Sequence, residues 1–320
     1  MQKLNESACG VFIISVTPFT ERGDIDYESV DRLIEFYLAC GVDGMTILGM
    51  MGEAQKLTDD ESVAFARHVL KRVAGRVPVI VGVSSPGFAA MAELTAAVME
   101  SGAAGVMVAP PSTLKTDADI VRYYTAVAAT ISADVPFVLQ DYPQSTGVVI
   151  APSVILEIVR TLPNCVMLKH EEWPGLAKIA ALRAASALGD VRRISILVGN
   201  GGITLPEELQ RGADGAMTGF SFPEMMVDVC RAHAAGDLDR AADLFDAYLP
   251  LARYELQPGL GVAIRKHILA GRGVIASPTL RKPAPSLSAE DLADVTRLIE
   301  RQARRLKELG GKAMAGGVTG

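Results

Sequence analysis

Eight short apolar runs set the limits on what this chain can fold into. They are Val11–Val16, Met45–Leu48, Val79–Val83, Gly105–Ala109, Phe137–Leu139, Cys165–Leu168, Ile194–Val198 and Ala216–Thr218. They are close to continuously apolar rather than alternating, which suits strands covered on both faces. Between them lie longer stretches with helical spacing, such as Val30, Leu33, Ile34, Tyr37 and Leu38 within Tyr27–Cys40. Thr58 and Glu61 form a capping box, and Thr116 and Thr204 are candidate helix caps. Small-residue turns lead back into strands at residues 40–44, 101–105 and 211–215. Eight such units fit either a closed (β/α)8 TIM barrel or a large doubly wound sheet. No G-x-G-x-x-G follows the first run, so the expected fold is the α/β barrel.

The units end near residue 235. We expect a barrel over 1–235, a C-terminal helical extension over 236–309 and a flexible Gly- and Ala-rich tail over 310–320. Helices are expected at Asp237–Tyr254, Gly259–Ala270 and Ser288–Leu309. With 49% hydrophobic and 21% charged residues the chain can bury a core, which excludes a disordered protein. The net charge of −6 and the lack of a basic stripe argue against nucleic acid as a partner. No apolar stretch is long enough to span a bilayer, and Pro18 ends the first run short of a signal peptide. Cys9, Cys40, Cys165 and Cys230 are scattered without ligand spacing. They read as reduced core residues of a cytoplasmic protein with no metal and no cofactor.

Barrel chemistry sits at the C-terminal ends of the strands. Lys169 stands out there, directly after four apolar residues, Cys165 to Leu168. Burial disfavours its ammonium form, and the free amine is the nucleophile that condenses with ketones. Equally, the lysine could be structural and paired with Glu171, Glu172 or Asp141. His170 and its neighbouring glutamates lack metal-ligand spacing.

Several motifs together resemble the dihydrodipicolinate synthase / N-acetylneuraminate lyase family of Schiff-base barrel lyases. Thr17-Pro18-Phe19 resembles its T-P-F, Gly49-Met50-Met51-Gly52-Glu53 its G-T-T-G-E, and Leu57-Thr58 with Glu61 the L-T/S-x-x-E that follows. Leu168-Lys169-His170-Glu171 resembles the strand with the imine-forming lysine. Gly199-Asn200 and Gly212-Ala213-Asp214-Gly215 resemble the family's G-N/D-D and G-A-x-G segments. The resemblance implies a metal-free class I lyase, a homotetramer or homodimer, whose Lys169 forms an imine with pyruvate or a longer 2-oxo acid.

The departures bear on substrate. The synthase branch uses a threonine of G-T-T-G-E and two tyrosines as a proton relay. Both threonine positions are methionine here, Met50 and Met51, although their backbone N–H groups could still cradle a carboxylate. Ser112 replaces one tyrosine, and Gln140 replaces the tyrosine of Y-N-x-P. Ser145 replaces the carboxylate-binding arginine of R-T-G. Tyr142, two residues beyond Gln140, is a candidate substitute for the missing phenol, and Asp141, Glu171 and His170 are further candidates. Met50, Met51, Ser112, Gln140, Gly199 and Met217 are expected to bind substrate, with Pro111 and Phe220 adding apolar wall. The leading reading is cleavage or dehydration of a 2-oxo acid. The alternatives are a dihydrodipicolinate synthase with a rearranged relay and a non-catalytic 2-oxo acid sensor.

Overall fold

Eight parallel strands pair in chain order, and the last closes on the first. The computed structural model describes residues 3–310, so the tail expected over 310–320 lies outside the described residues from 311 onward. The elements in order are β1 (Gly10–Ile14), α1 (Tyr27–Cys40), β2 (Gly44–Ile47), α2 (Asp59–Val73), β3 (Val79–Gly82), α3 (Phe88–Glu100), β4 (Gly105–Val108) and α4 (Asp117–Ile131). There follow β5 (Phe137–Asp141), α5 (Pro143–Thr146), α6 (Pro152–Thr161), β6 (Cys165–His170), α7 (Leu176–Ala187), β7 (Ser195–Val198), α8 (Leu205–Gln210), β8 (Gly215–Ala216) and α9 (Pro223–Ala234). The expected C-terminal helices form as α10 (Leu238–Glu255), α11 (Gly261–Gly271) and α12 (Ala289–Glu308).

Helix starts follow the side chains that satisfy their first amides. Thr58 with Glu61 and Thr116 with Asp119 make reciprocal capping boxes, and Ser288 with Asp291 starts α12 the same way. Thr204 sits at the cap of α8, but its side chain makes no capping bond. Strand limits differ where polar residues continue a ladder. β5 runs on through Gln140 and Asp141, and β6 through Lys169 and His170, because backbone pairing is indifferent to the side chain. β8 is shorter than expected and lies earlier. The cysteine expectation needs correction as well. Cys40 and Cys165 are buried, Cys230 is partly so, and Cys9 is exposed.

Two apolar layers result, one between strands and helices and one inside the barrel. One irregularity decides what faces the inside. Phe137 pairs with Cys165, but Val138 pairs with Met167, so β6 carries one extra residue, Val166. Cys165 and Leu168 pack outward, whereas Val166 and Met167 pack inward. Lys169 follows with the inward set. Regular pairing from Cys165 would have turned it into the helix layer.

The C-terminal helices grip the mouth of the barrel through buried ions. Arg265 of α11 donates to Glu255 Oε1 at 2.6 Å and to the Gly219 carbonyl at 2.6 Å. Glu255 also accepts from the Ser221 amide and hydroxyl. Phe220, expected to line the pocket, belongs to this outer packing beside Phe222 and Tyr248.

One buried carboxyl predicts a pH dependence of stability. Glu208 of α8 is 4% exposed, and its Oε2 has no hydrogen-bond partner among the described residues. Burial pushes its carboxyl up to about 8, opposed by Thr204. The folded state therefore holds a proton that the unfolded chain releases near ordinary carboxylate pH. That contribution is present at pH below about 4.5 and is lost as pH rises through about 8. Glu208→Gln removes the ionisation. Thermal melts at pH 8–9 should show a gain on the order of a few kcal/mol, several degrees in Tm, with little change near pH 4. A Tm difference that does not depend on pH would refute this account.

Candidate active site

The last turns of β5, β6 and β7 converge on one buried cluster. Gln140 and Lys169 are register partners, and Lys169 also pairs with Leu197. Lys169 is 5% exposed, and its Nζ lies 3.0 Å from Glu171 Oε2. Gln140 Nε2 donates to the same oxygen at 2.8 Å. Glu171 is itself 5% exposed, so a charged carboxylate here depends on those two partners.

The backbone fixes Glu171 from both sides. Its N–H donates to the Asp141 carbonyl at 2.9 Å, and its carbonyl accepts from Asn200 Nδ2 at 2.9 Å. Gly199 provides the space: a Cβ there would lie 2.1 Å from Glu171 Cγ. Gly199 therefore does more than turn the chain after β7. Any side chain at that position would displace the carboxylate.

Residues of the opposite parity leave the site. Asp141 and His170, both candidates for acid/base work, are fully buried on the outer face. Asp141 Oδ2 accepts from Lys178 at 2.7 Å, and Lys178 also donates to the Ile150 carbonyl and pairs with Glu172 at 3.0 Å. His170 Nε2 reaches the Gly175 carbonyl at 3.1 Å, so that nitrogen carries the hydrogen. Among the described residues no side-chain hydrogen bond or ion pair joins Asp141 or His170 to Lys169.

The other expected site residues are placed unevenly. Met50 and Met51 open a 3₁₀ turn, and their backbone N–H groups have no acceptor among the described residues. Met51 packs against the inner apolar layer. Met217 is fully buried within that layer, beneath the mouth. Ser112 stands exposed in the loop after β4, and its carbonyl accepts from Lys115. The structure does not bring Ser112 to Lys169. Tyr142 precedes α5 and is half-buried. Burial raises its phenol, and the charge of Glu171 raises it further, which sets it within the field of the cluster. A cleft of about 710 Å³ leads from Gln140 and Met107 past Met50 and Ser145 toward α2 and α3. Ser62, Ser84, Ser85, Asp59, Asp60 and Glu93 contribute its polar lining, with no lysine, arginine or histidine.

The dihydrodipicolinate synthetase family profile matches residues 7–302. The chain belongs to this family. It is a metal-independent Schiff-base lyase of the family, with the barrel and C-terminal helices of its solved members. A curated family member, L-2-keto-3-deoxyarabonate dehydratase from Azospirillum brasilense, is 33% identical over 304 residues, covering 94% of this chain and 95% of that one. The crystal structure described as dihydrodipicolinate synthase from Rhodopseudomonas palustris superposes with a TM-score of 0.93 at 50% identity, over 94% of this chain and all of that one. A prophage family member from E. coli K12, solved in complex with pyruvate, gives 0.83 at 25% identity over 92% and 98%. Gln140, expected to replace a tyrosine of the synthase branch, donates to Glu171, which pairs with Lys169. Among the described residues no group of three or more His, Cys, Asp or Glu could hold a metal ion. No described helix is long and apolar enough to cross a membrane.

Proposed function

We propose that this chain is a Schiff-base dehydratase of a 3-deoxy-2-oxo sugar acid, with the imine on Lys169 and Glu171 as its proton carrier. The observation that carries this reading is the Lys169–Glu171–Gln140 cluster, a carboxylate in direct contact with the nucleophile. Glu171 takes the ammonium proton of Lys169, and the free amine adds to the C2 ketone. Glu171 returns that proton to the C2 oxygen, which leaves as water and gives the protonated imine beside a regenerated carboxylate. Glu171 then removes a C3 proton to form the enamine. The enamine expels the C4 hydroxyl, which leaves as water with the proton held by Glu171. Hydrolysis of the conjugated imine releases the product and the lysine. The unpartnered amides of Met50 and Met51 suit the substrate carboxylate. The cleft has no lysine, arginine or histidine and sets Asp59, Asp60 and Glu93 beside its serines, which suits a neutral hydroxylated chain rather than a second carboxylate.

The relative from A. brasilense supports the dehydratase reading by its name alone. A sensor would not need a buried proton acceptor on the lysine. Tyr142 enters as a secondary group that orders the leaving hydroxyl, Met51 adds apolar wall, and Gly199 and Met217 support the site from beneath. The proposal includes a cytoplasmic location, consistent with four free thiols, and a homotetramer or homodimer, which light scattering reads directly.

The test is a screen of 2-oxo acids with and without EDTA. Loss of water from a five- or six-carbon 3-deoxy-2-oxo acid, unchanged by the chelator, is the expected outcome. Condensation of pyruvate with aspartate semialdehyde should be slower by roughly 10²-fold or more, because Ser145 offers no guanidinium and Gln140 no phenol. Efficient synthesis of dihydrodipicolinate would overturn the proposal. Release of pyruvate in place of water would convert it to retro-aldol cleavage.

A further inference from the structure

The turn that carries the Met50 and Met51 amides is held from an unexpected direction. Glu53 ends it with φ 55° and ψ 31°, a left-handed conformation that non-glycine residues rarely adopt. Its N–H donates to the Met50 carbonyl at 3.1 Å, so the orientation of Glu53 and that of the turn are linked. Its carboxylate, in a residue 2% exposed, has three partners. Lys266 Nζ donates to Oε1 at 2.6 Å, Lys56 Nζ donates to Oε2 at 2.8 Å, and the Arg281 amide donates to Oε2 at 3.1 Å.

Lys266 is the distinctive member. It lies on α11, more than two hundred residues from Glu53, and is wholly buried. Its ammonium also donates to the Thr279 carbonyl at 3.0 Å and lies 4.3 Å from the centre of the Phe19 ring. An ammonium so placed is tolerable only with its carboxylate partner, and burial alone would expel the charge. Surface loops seldom receive such an anchor, and nothing in the chemistry at Lys169 uses it.

We propose that Lys266 is a positioning residue: acting through Glu53, it sets the direction of the Met50 and Met51 amides and so tunes affinity for the carboxylate of 2-oxo acids. This inference rests on the reading of those amides as the carboxylate cradle. The C-terminal extension thereby takes part in ground-state binding without touching substrate. Lys266 and Glu53 stand apart from the group that forms the imine, so binding and the final extent of imine formation should separate.

The test is borohydride trapping of the imine over a series of pyruvate concentrations, read by intact mass. Lys266→Met and Glu53→Gln should each raise the half-saturating pyruvate concentration roughly tenfold or more. The plateau of one label on Lys169 should remain. The double variant should be no worse than Glu53→Gln alone, because both changes remove one interaction. If Lys266→Met does not fold, the isosteric Glu53→Gln carries the same comparison. Unchanged half-saturation in a folded variant would overturn the proposal, as would a reduced plateau with unchanged half-saturation or additive effects in the double variant. Failure of the underlying reading looks different: the wild-type protein would then take no label on Lys169 at any concentration.

Discussion

Lys169→Ala should abolish both imine trapping and turnover, the latter by roughly 10⁴-fold or more. Among the described residues three lysines are buried, Lys169, Lys178 and Lys266, and their surroundings differ. Lys178 is tied to Asp141, Glu172 and the Ile150 carbonyl on the outer face of the barrel. Lys266 is tied to Glu53 and Thr279. Lys169 alone of these is aligned with the inward set of β6, and its partner Glu171 can accept its proton. Without it the site has no amine to make the electron sink, and a carboxylate alone cannot stabilise a carbanion next to a ketone. Borohydride reduction with pyruvate should add one ligand to the peptide carrying Lys169 and none to the variant. A label that persists in Lys169→Ala, or that maps to Lys178 or Lys266, would remove the assignment.

Glu171→Gln should separate imine formation from turnover. The substitution keeps the shape and can still accept from Gln140, so Lys169 should be labelled to completion, though more slowly. Turnover should fall by roughly 10²–10⁴-fold, the usual cost of losing a positioned acid/base. Tyr142→Phe should cost less, because its hydroxyl makes no hydrogen bond among the described residues and feels Glu171 only at a distance. Stopped-flow trapping alongside steady-state rates checks both variants. If Glu171→Gln turns over normally while Tyr142→Phe is inactive, the proton carrier is the phenol and the roles assigned here are exchanged.

Much of the fold was legible because burial on both faces leaves near-continuous apolar runs, which local reading detects. The caps at Thr58 and Thr116 were legible for the same reason: the interaction is three residues long. Thr204 shows the limit, since it occupies the position without making the bond. The site was less legible. Lys169 could be singled out by the cost of a lysine after Leu168. Which of Asp141, His170 and Glu171 accompanied it depended on parity along two strands, and the extra residue Val166 alters that count. The register pairing of Gln140 with Lys169 would have pointed to Glu171, but register is a long-range property. Lys266 was beyond sequence reading altogether, because its partner Glu53 belongs to the other end of the chain.

The doubled residue in β6 also gives that strand something like a reading frame. Between Cys165 and Lys169, the strand tolerates a change of length at one place only. Loss of Val166 would restore plain pairing and leave Lys169 facing the lumen, because Val138 already pairs with Met167. Loss of Leu168 would shift every later residue by one, sending the amine into the wall and His170 into the lumen. Lineages that lengthen or shorten this barrel are therefore free to do so in its loops, whereas β6 can absorb an insertion or deletion only at its bulge if the amine is to stay in place.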